Sequence, residues 1–164
     1  MIEIYRNIFV GDQNDFENGV ALEKEGWAVV QACKEPYHRN ALGYSGRAAS
    51  KEHPEYLIAL RENRLILNLV DVDNPDWISP KIIDRAIEFM DESVESGKQV
   101  LVHCNQGMSR SAVIGLLYLA HLGKFNECSF EEAEKQYSSI YPSYNPANGM
   151  REYARINWGK YRQG

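Results

Sequence analysis

The sequence predicts one α/β domain over residues 1–164, built on a central, mostly parallel, twisted sheet flanked by helices. Short apolar segments rich in β-branched residues alternate with longer segments of helical period, which is typical of such folds. The chain has 164 residues, 44% of them hydrophobic, enough for one domain with its own core. Its three cysteines are too few, and odd in number, for a disulfide framework, so we expect a reducing, cytoplasmic setting.

The first third of the chain alternates between strand and helix patterns. Alternating apolar residues in IEIYRNIFVG predict one or two short edge strands. The segment DFENGVALEKEG predicts a helix that ends at Gly26, and WAVVQAC predicts a buried strand. Residues 34–53 have two glycines, a proline, surplus basic groups and no clear period, and therefore predict a long surface loop.

The middle of the chain predicts a helix, a strand and a second, longer helix. PEYLIALREN is predicted to be helical from Pro54, and RLILNLVDV to be an apolar strand. SPKIIDRAIEFMDESVESG is the clearest helix, because Ser79 can cap it and Pro80 suits the first turn. Its apolar stripe consists of Ile83, Ile87, Met90 and Val94.

The last part of the chain predicts a third core strand and three helices. KQVLVH has the apolar run of a core strand, and SAVIGLLYLAHLG is apolar nearly all round, as a buried helix is. SFEEAEKQYSSIY begins with a capping box formed by Ser129 and Glu132. NPANGMREYARINW predicts a final helix.

Polar and small residues interrupt the apolar pattern in HCNQGMSR, between a predicted buried strand and a predicted buried helix. At this position backbone N–H groups and the helix dipole converge on one point and favour an anion. Gly107 allows the backbone to turn tightly, and the planar guanidinium of Arg110 matches two oxygens of a phosphate. The loop is therefore predicted to cradle a phosphate group.

Cys104 lies at the mouth of this loop, where the helix N-terminus, the N–H groups and Arg110 all favour its nucleophilic thiolate form. Attack on a bound phosphate ester would give a cysteinyl-phosphate, which water then hydrolyses. The leaving oxygen needs a proton donor and the water needs a base. The candidate acids follow the preceding strand and are Asp71, Asp73 and Asp76. Ser111 is expected to hydrogen-bond the sulfur, and His103 to orient the loop.

The segment HCNQGMSRS matches the His-Cys-any five-Arg-Ser/Thr signature, and the chain resembles the cysteine-dependent protein tyrosine phosphatases, most closely their dual-specificity branch. NIFVGD resembles an early segment of that family, and YPSYNPANGMREY resembles its closing segment. LILNLVDVDN, AIEFMD and VLVHC resemble, in order, the acid-bearing strand, the next helix and the nucleophile strand. Residues 34–60 are the least similar.

The resemblance implies a role for each site residue. Cys104 is the nucleophile, Arg110 binds the phosphate and Ser111 assists hydrolysis of the intermediate. Asp73, 31 residues before Cys104, is the general acid and then the base, with Asp71 as the fallback. The loop residues expected to contact the phosphate are Asn105, Gln106, Gly107, Met108, Ser109 and Arg110.

Two departures from the family pattern stand out in the sequence. Gln106 occupies a position where the family usually has alanine, and Tyr141 one where it usually has arginine. The loop holds no lysine, unlike that of inositol-lipid phosphatases, and a shallow pocket is expected.

The resemblance also implies substrates and partners. The expected substrates are proteins or peptides that carry phosphotyrosine, and also phosphoserine or phosphothreonine, with no metal or other cofactor. Phosphate, sulfate or vanadate is expected to bind in the loop. The net charge of −5 argues against broad binding to nucleic acid or anionic membranes, and no apolar run approaches the roughly 20 residues of a membrane span. No signal peptide is evident, and a monomer is expected.

Three alternatives to a protein phosphatase are compatible with parts of the pattern. An RNA 5′-phosphatase would share the loop, but the acidic net charge and the lack of a basic and aromatic strip disfavour it. A non-catalytic phosphate-binding domain is disfavoured because nucleophile, arginine, serine and acid are all present. A sulfur-transfer enzyme would need neither Arg110 nor Ser111.

Other conspicuous residues are expected to be structural or solvated. Cys33 and Cys128 are predicted to be structural thiols, and Cys33 with His38 supplies too few ligands for zinc. The remaining residues of this kind are His53, His121, Tyr153 and Trp158. Among the basic groups Arg39, Arg47 and Lys51, solvated charge is the main expectation, and contact of one with substrate is the alternative.

Overall fold

The computed structural model describes residues 1–23 and 25–162, and a six-stranded sheet forms the centre of this part. Its strands are β1 (Ile2–Tyr5), β2 (Ile8–Gly11), β3 (Trp27–Gln31), β4 (Ile58–Arg61), β5 (Arg64–Leu67) and β6 (Gln99–His103). They lie in the order β1-β2-β6-β3-β5-β4. The four inner strands pair in parallel, and β1 and β4 are antiparallel edges, which confirms the predicted mostly parallel sheet.

The middle of the sheet determines the position of the loop that follows β6, residues 104–109, which is called the phosphate loop below. Strand β6 pairs with β2 on one side and β3 on the other, with His103 opposite Gly11 and Gln31. All three strands run in the same direction, so the loop after β6 begins at the centre of their carboxyl edge. Ligand sites of open α/β sheets gather at this edge.

The described residues form seven α-helices around this sheet. They are α1 (Gln13–Glu17), α2 (Arg39–Leu42), α3 (Pro80–Glu95), α4 (Arg110–His121), α5 (Phe130–Ile140), α6 (Asn148–Ile156) and α7 (Trp158–Tyr161). Helices α3 and α4 pack against the sheet, α6 and α7 pack on α4, and α1 lies against β6. None of the described helices has the length and apolarity needed to cross a membrane.

The two long central helices match their predicted patterns. Helix α3 buries Ile83, Ile87 and Met90, while Val94 is partly buried. Helix α4 buries every residue from Ser111 to Ala120, so it forms the centre of the core. The capping box of Ser129 and Glu132 is present, but the Ser79 side chain makes no capping hydrogen bond.

Two predicted elements are wrong. The helix predicted to end at Gly26 is only the short α1 and a 3₁₀ turn at Val20–Leu22, with Gly19 between them. The segment PEYLIALREN is not a helix, because its residues Ile58–Arg61 form β4 and pair antiparallel with β5. Backbone pairing with β5 outweighs the preference of Pro54 for a first helical turn.

The predicted long surface loop is also partly ordered. Residues Lys34–His38 form an irregular helical turn that leads into α2. His38 is fully buried, and its ring nitrogens lie 2.9 Å from both the Tyr44 hydroxyl and the Glu55 carbonyl oxygen. These two bonds hold His38 against Tyr44 and Glu55. The sequence of this segment, which lacks a clear period, does not indicate them.

Candidate active site

The loop between β6 and α4 turns through Gly107, whose φ is +74°. A Cβ atom at this position would lie 3.0 Å from the Gly11 carbonyl carbon and oxygen and 3.1 Å from the Tyr141 hydroxyl. Both the left-handed backbone and the close approach of β2 therefore require glycine. At this turn the Gly107 N–H donates to the Cys104 sulfur over 3.3 Å.

A cavity of about 520 Å³ opens over this loop. Its lining residues are Asp71, Cys104, Asn105, Gln106, Met108, Ser109, Arg110, Asn145, Pro146 and Ala147. The structure thus brings five of the six predicted phosphate-contacting residues to one cavity, and Gly107 lies beneath it with its N–H on the sulfur. Cys104 is only 2% exposed and lines this cavity.

Ser111 lies behind the sulfur, with its Oγ 3.1 Å from Cys104 Sγ and 3.1 Å from the Gly11 carbonyl oxygen. The hydroxyl has one proton and can donate to only one of them. With a thiol, S–H donates to Oγ and the hydroxyl donates to Gly11. With a thiolate, the hydroxyl donates to sulfur instead, so the hydrogen bond of Ser111 can switch when Cys104 loses its proton.

Arg110 is held at its two outer nitrogens. Nη1 donates to the Leu69 carbonyl oxygen over 2.9 Å, and Nη2 donates to Asn105 Oδ1 over 2.7 Å. Nε is buried and has no hydrogen-bond partner. A buried N–H without a partner is costly, so an oxyanion oxygen in the cavity would satisfy it.

The side chain of Asn105 is a functional feature that the sequence did not indicate. Besides holding Arg110, its Nδ2 donates to Gln13 Oε1 and to the Glu35 carbonyl oxygen, both over 2.9 Å. These partners lie 92 and 70 residues away in the sequence, so no local pattern could identify them. Asn105 therefore ties the phosphate loop to α1 and to the turn before α2.

The three candidate acids occupy different places. Asp71 lines the cavity, and its Oδ1 accepts a hydrogen bond from Ser109 Oγ over 2.8 Å. Asp73 is exposed and lies outside the lining, and its side chain has no partner among the described residues. Asp76 is exposed in the short turn Pro75–Trp77 that precedes α3. On this one segment, the Asp71 carboxylate is hydrogen-bonded in the cavity wall, whereas the Asp73 carboxylate has no partner among the described residues.

Residues before α6 support the phosphate loop from the other side. The Tyr141 hydroxyl donates to the Gly107 carbonyl oxygen over 2.5 Å and so contacts the loop directly. The family resemblance leads one to expect arginine at this position. Two backbone N–H groups add to it: that of Asn145 bonds the Met108 carbonyl oxygen and that of Ala147 bonds Ser109 Oγ, each over 2.9 Å.

The start of α6 holds the acid-bearing segment. Asn148 Nδ2 donates to the Asp73 carbonyl oxygen over 3.1 Å, and the Gly149 N–H donates to the Val72 carbonyl oxygen over 3.1 Å. A Cβ at Gly149 would overlap that same oxygen. The closing sequence motif therefore fixes the backbone of Asp73 while leaving its carboxyl group free.

His103 is fully buried beneath the loop as a neutral ring. Its Nδ1 lies 3.1 Å from the Cys104 carbonyl oxygen, which can only accept, so Nδ1 carries the proton. Its Nε2 lies 3.2 Å from Gln31 Nε2, which donates to it, and Gln31 Oε1 accepts from Arg64 Nη1 over 2.9 Å. Burial lowers the pKa of His103 to about 4.

We expect this buried ring to make stability depend on pH. The folded-state pKa of about 4 lies below the unfolded value of 6.5, so between these pH values only the unfolded chain gains the proton. The free energy of unfolding should therefore fall by ~2–3 kcal/mol as pH drops from about 7 to about 4. Urea unfolding of the wild type and of His103→Gln measures this, and the variant should lose that part of the pH dependence. His53→Gln, at an exposed ring, is the control, and an unchanged pH dependence in His103→Gln would contradict the assignment.

The residues expected to be structural are mostly so. Cys33 is fully buried, and burial raises the pKa of its thiol to about 12, while Cys128 is half-buried. Tyr153 and Trp158 are buried in the core, as predicted. None of the basic groups Arg39, Arg47 and Lys51 lines the cavity, and Arg39 is bonded to both carboxylate oxygens of Glu35. Among the described residues, no three His, Cys, Asp or Glu side chains are grouped as a metal site.

Comparisons with known proteins show the family of the chain. A family model described as "Dual specificity phosphatase, catalytic domain" matches residues 47–155. Mouse dual specificity protein phosphatase 8 is 26% identical over 157 residues, which cover 94% of this chain and 21% of that protein. Dual specificity protein phosphatase 1-A of Xenopus laevis is 38% identical over 63 residues, or 38% of this chain and 17% of that protein. The chain thus spans about a fifth of these relatives' length.

Solved structures share the fold. The human tyrosine phosphatase-like serine/threonine/tyrosine-interacting protein superposes with a TM-score of 0.63 at 21% identity, covering 97% of this chain and 95% of that chain. A mouse dual specificity phosphatase complexed with zinc tungstate superposes with a TM-score of 0.57 at 20% identity, covering 96% and 88%. These likenesses confirm the fold class that the sequence predicts.

Proposed function

The chain belongs to the dual specificity phosphatase family, and on this premise we propose that it hydrolyses phosphate monoesters of proteins through a cysteinyl-phosphate on Cys104. One observation carries the proposal: Cys104 and Arg110 line one cavity, the Gly107 N–H donates to the Cys104 sulfur, and the buried Nε of Arg110 has no partner. The cavity thus combines a nucleophile with donors for the oxygens of a phosphate. A mouse dual specificity phosphatase is complexed with zinc tungstate, whose tungstate is a tetrahedral oxyanion.

In the first proposed step, Sγ attacks phosphorus and the bond to the ester oxygen breaks. Arg110 and the loop N–H groups bear the negative charge of the phosphoryl oxygens, which is the largest electrostatic contribution such sites make. The leaving oxygen takes the proton of Asp73. We prefer Asp73 to Asp71 because the Asp71 carboxylate is engaged by Ser109, whereas the Asp73 carboxyl is free on a backbone that α6 holds in place.

In the second step, Asp73 removes a proton from water, which attacks the phosphorus of the cysteinyl-phosphate. The S–P bond breaks and the sulfur leaves as a thiolate, while inorganic phosphate departs. The Ser111 hydroxyl, 3.1 Å from Sγ, donates to the leaving sulfur and so stabilises the charge that develops on it. The whole cycle returns Asp73 to its protonated form for the next substrate.

The proposed catalytic domain extends beyond the matched residues 47–155 to the whole of residues 1–164. Gly11, Gln13 and Glu35 all precede that match, yet each bonds a residue of the phosphate loop or α4. We propose that the domain acts as a monomer in a reducing cytoplasm, with all three cysteines free. Among the described residues, no aromatic ring lines the cavity, which favours several phosphoesters, namely phosphotyrosine, phosphoserine and phosphothreonine.

Hydrolysis of p-nitrophenyl phosphate in the presence of EDTA tests the proposal and the choice of acid. We expect the wild type to be active without metal, and Asp73→Asn to lower kcat by about 10²-fold or more, as loss of a general acid does. Asp71→Asn is the matched variant, two residues away, and should cost less than about 10-fold because only its bond to Ser109 is weakened. The reverse order would make Asp71 the acid. A wild type that binds phosphate but hydrolyses no ester would overturn the proposed function.

A further inference from the structure

We propose that a groove beside the phosphate cavity binds a large apolar side chain that flanks the phosphorylated residue of a polypeptide substrate. The inference rests on the proposed phosphatase function and adds a sequence preference to it. The groove encloses about 250 Å³. Its apolar lining comes from Tyr56, Leu57, Val70, Val72, Trp77 and Ile82.

The acid-bearing segment is the common wall of the groove and the phosphate cavity. Asp71 lines the cavity, whereas Val70 and Val72, on either side of it, line the groove. The backbone of residues 70–72 therefore lies between the two spaces. A thickness of roughly 5 Å and a rise of roughly 3.3 Å per residue place the bound side chain about two or three residues from the phosphorylated one.

The groove's apolar rim is open to solvent. Trp77 is 73% exposed and Val70 is 48% exposed. Tryptophan is largely buried in most proteins, and exposed tryptophans beside grooves are typical anchors of protein interfaces. The indole N–H of Trp77 has no hydrogen-bond partner among the described residues. A substrate side chain that covered Trp77 and Val70 would remove apolar surface from water.

The charges of the groove favour an apolar peptide residue over a nucleotide. Lys34 is the one charged residue in the described lining, and its ammonium donates to the Arg47 carbonyl oxygen. In the part of the chain that the structure describes, no other cation lines the groove to meet a nucleic-acid backbone, and the net charge of the chain is −5. We therefore commit to a polypeptide with a phenylalanine, tryptophan, leucine or methionine near the phosphorylated residue.

A panel of phosphotyrosine peptides tests this inference. Each peptide has an alanine and serine background with a single phenylalanine at one position on either side of the phosphotyrosine. In the wild type, kcat/KM should rise by about 10-fold when phenylalanine stands two or three residues away on one side, which corresponds to about 1.4 kcal/mol. Trp77→Ala and Val70→Ser should each reduce this ratio of phenylalanine to alanine peptide by severalfold. Leu22→Ala is the matched control, since Leu22 is also 73% exposed but lies outside the groove.

The ratio of kcat/KM between phenylalanine and alanine peptides, compared with hydrolysis of p-nitrophenyl phosphate, distinguishes this inference from the proposed function. Hydrolysis of p-nitrophenyl phosphate depends on the phosphate cavity alone, so its absence would defeat the proposed function. Normal hydrolysis of that ester with no effect of phenylalanine at any position would defeat only the groove. A phenylalanine effect that survives both Trp77→Ala and Val70→Ser would also defeat it. A 5′-phosphorylated oligonucleotide that the wild type prefers to every peptide, with a preference lost in Trp77→Ala, would assign the groove to a base instead.

Discussion

Cys104→Ser is expected to lower kcat for phosphomonoesters by on the order of 10⁴-fold or more, the scale on which enzymes lose activity with their nucleophile. A serine hydroxyl fits the space of the thiol, but it is not ionised near neutral pH and attacks phosphorus poorly. The Gly107 N–H and Arg110 remain in place, so binding of phosphate or tungstate should change by less than about 10-fold. Initial rates with p-nitrophenyl phosphate and calorimetry with phosphate measure the two effects.

Cys33→Ser is the matched control for that change. Cys33 is also a buried thiol, but it does not line the phosphate cavity, so its substitution should leave kcat within severalfold of the wild type. Equal loss of activity in both variants would mean that general damage to the core, rather than loss of the nucleophile, explains the result. Retained activity in Cys104→Ser would remove Cys104 from the reaction.

Arg110→Lys is expected to lower kcat/KM by about 10²–10³-fold, although the positive charge is kept. An ammonium group cannot bond the Leu69 carbonyl and Asn105 Oδ1 while also presenting a further N–H in the position of the buried Nε. The phosphate would therefore lose a planar, preoriented donor, and both the bound ester and the transition state would be less stable. Steady-state kinetics and phosphate binding measure the loss.

Arg151→Lys is the control for replacing a paired arginine. Arg151 bonds both carboxylate oxygens of Glu134, at 2.9 and 2.8 Å, and lies outside the cavity lining. Its substitution should leave kcat/KM within about 2-fold of the wild type, because a half-exposed ion pair contributes little. An Arg110→Lys variant as active as Arg151→Lys would contradict the role given to the guanidinium.

The strongly periodic parts of the fold follow from sequence alone, and the errors have local causes. Helices α3 and α4 and strand β6 have patterns that packing reinforces, so prediction and structure agree. Strand β4 was missed because its hairpin turns through Glu62, whose φ is +55°, and not through a glycine that would signal a turn. Pairing with β5 is a tertiary effect that Pro54 and its neighbours do not reveal.

Part of the candidate site can also be predicted from the sequence, and part of it cannot. The loop from Cys104 to Ser111 can be predicted from sequence because one short segment holds the proposed nucleophile, the proposed donors and the arginine. The residues that hold it in place come from distant segments: Gln13 and Glu35 bond Asn105, and Tyr141 bonds the Gly107 carbonyl. Such contacts depend on the folded chain and leave no spacing pattern. The choice between Asp71 and Asp73 is of this kind, since both lie within three residues on one segment.

In the proposed reaction the phosphoryl group passes from its ester to the sulfur of Cys104, and acid quenching followed by mass spectrometry detects this covalent adduct. Ser111→Ala is the suitable protein, because the thiolate then leaves without its hydrogen bond from Oγ and the adduct should accumulate. Mixed with p-nitrophenyl phosphate and quenched within the first turnovers, it should carry one phosphoryl group on the peptide that contains Cys104. Turnover of the ester with no phosphoryl group on Cys104, or with that group on another residue, would contradict the account.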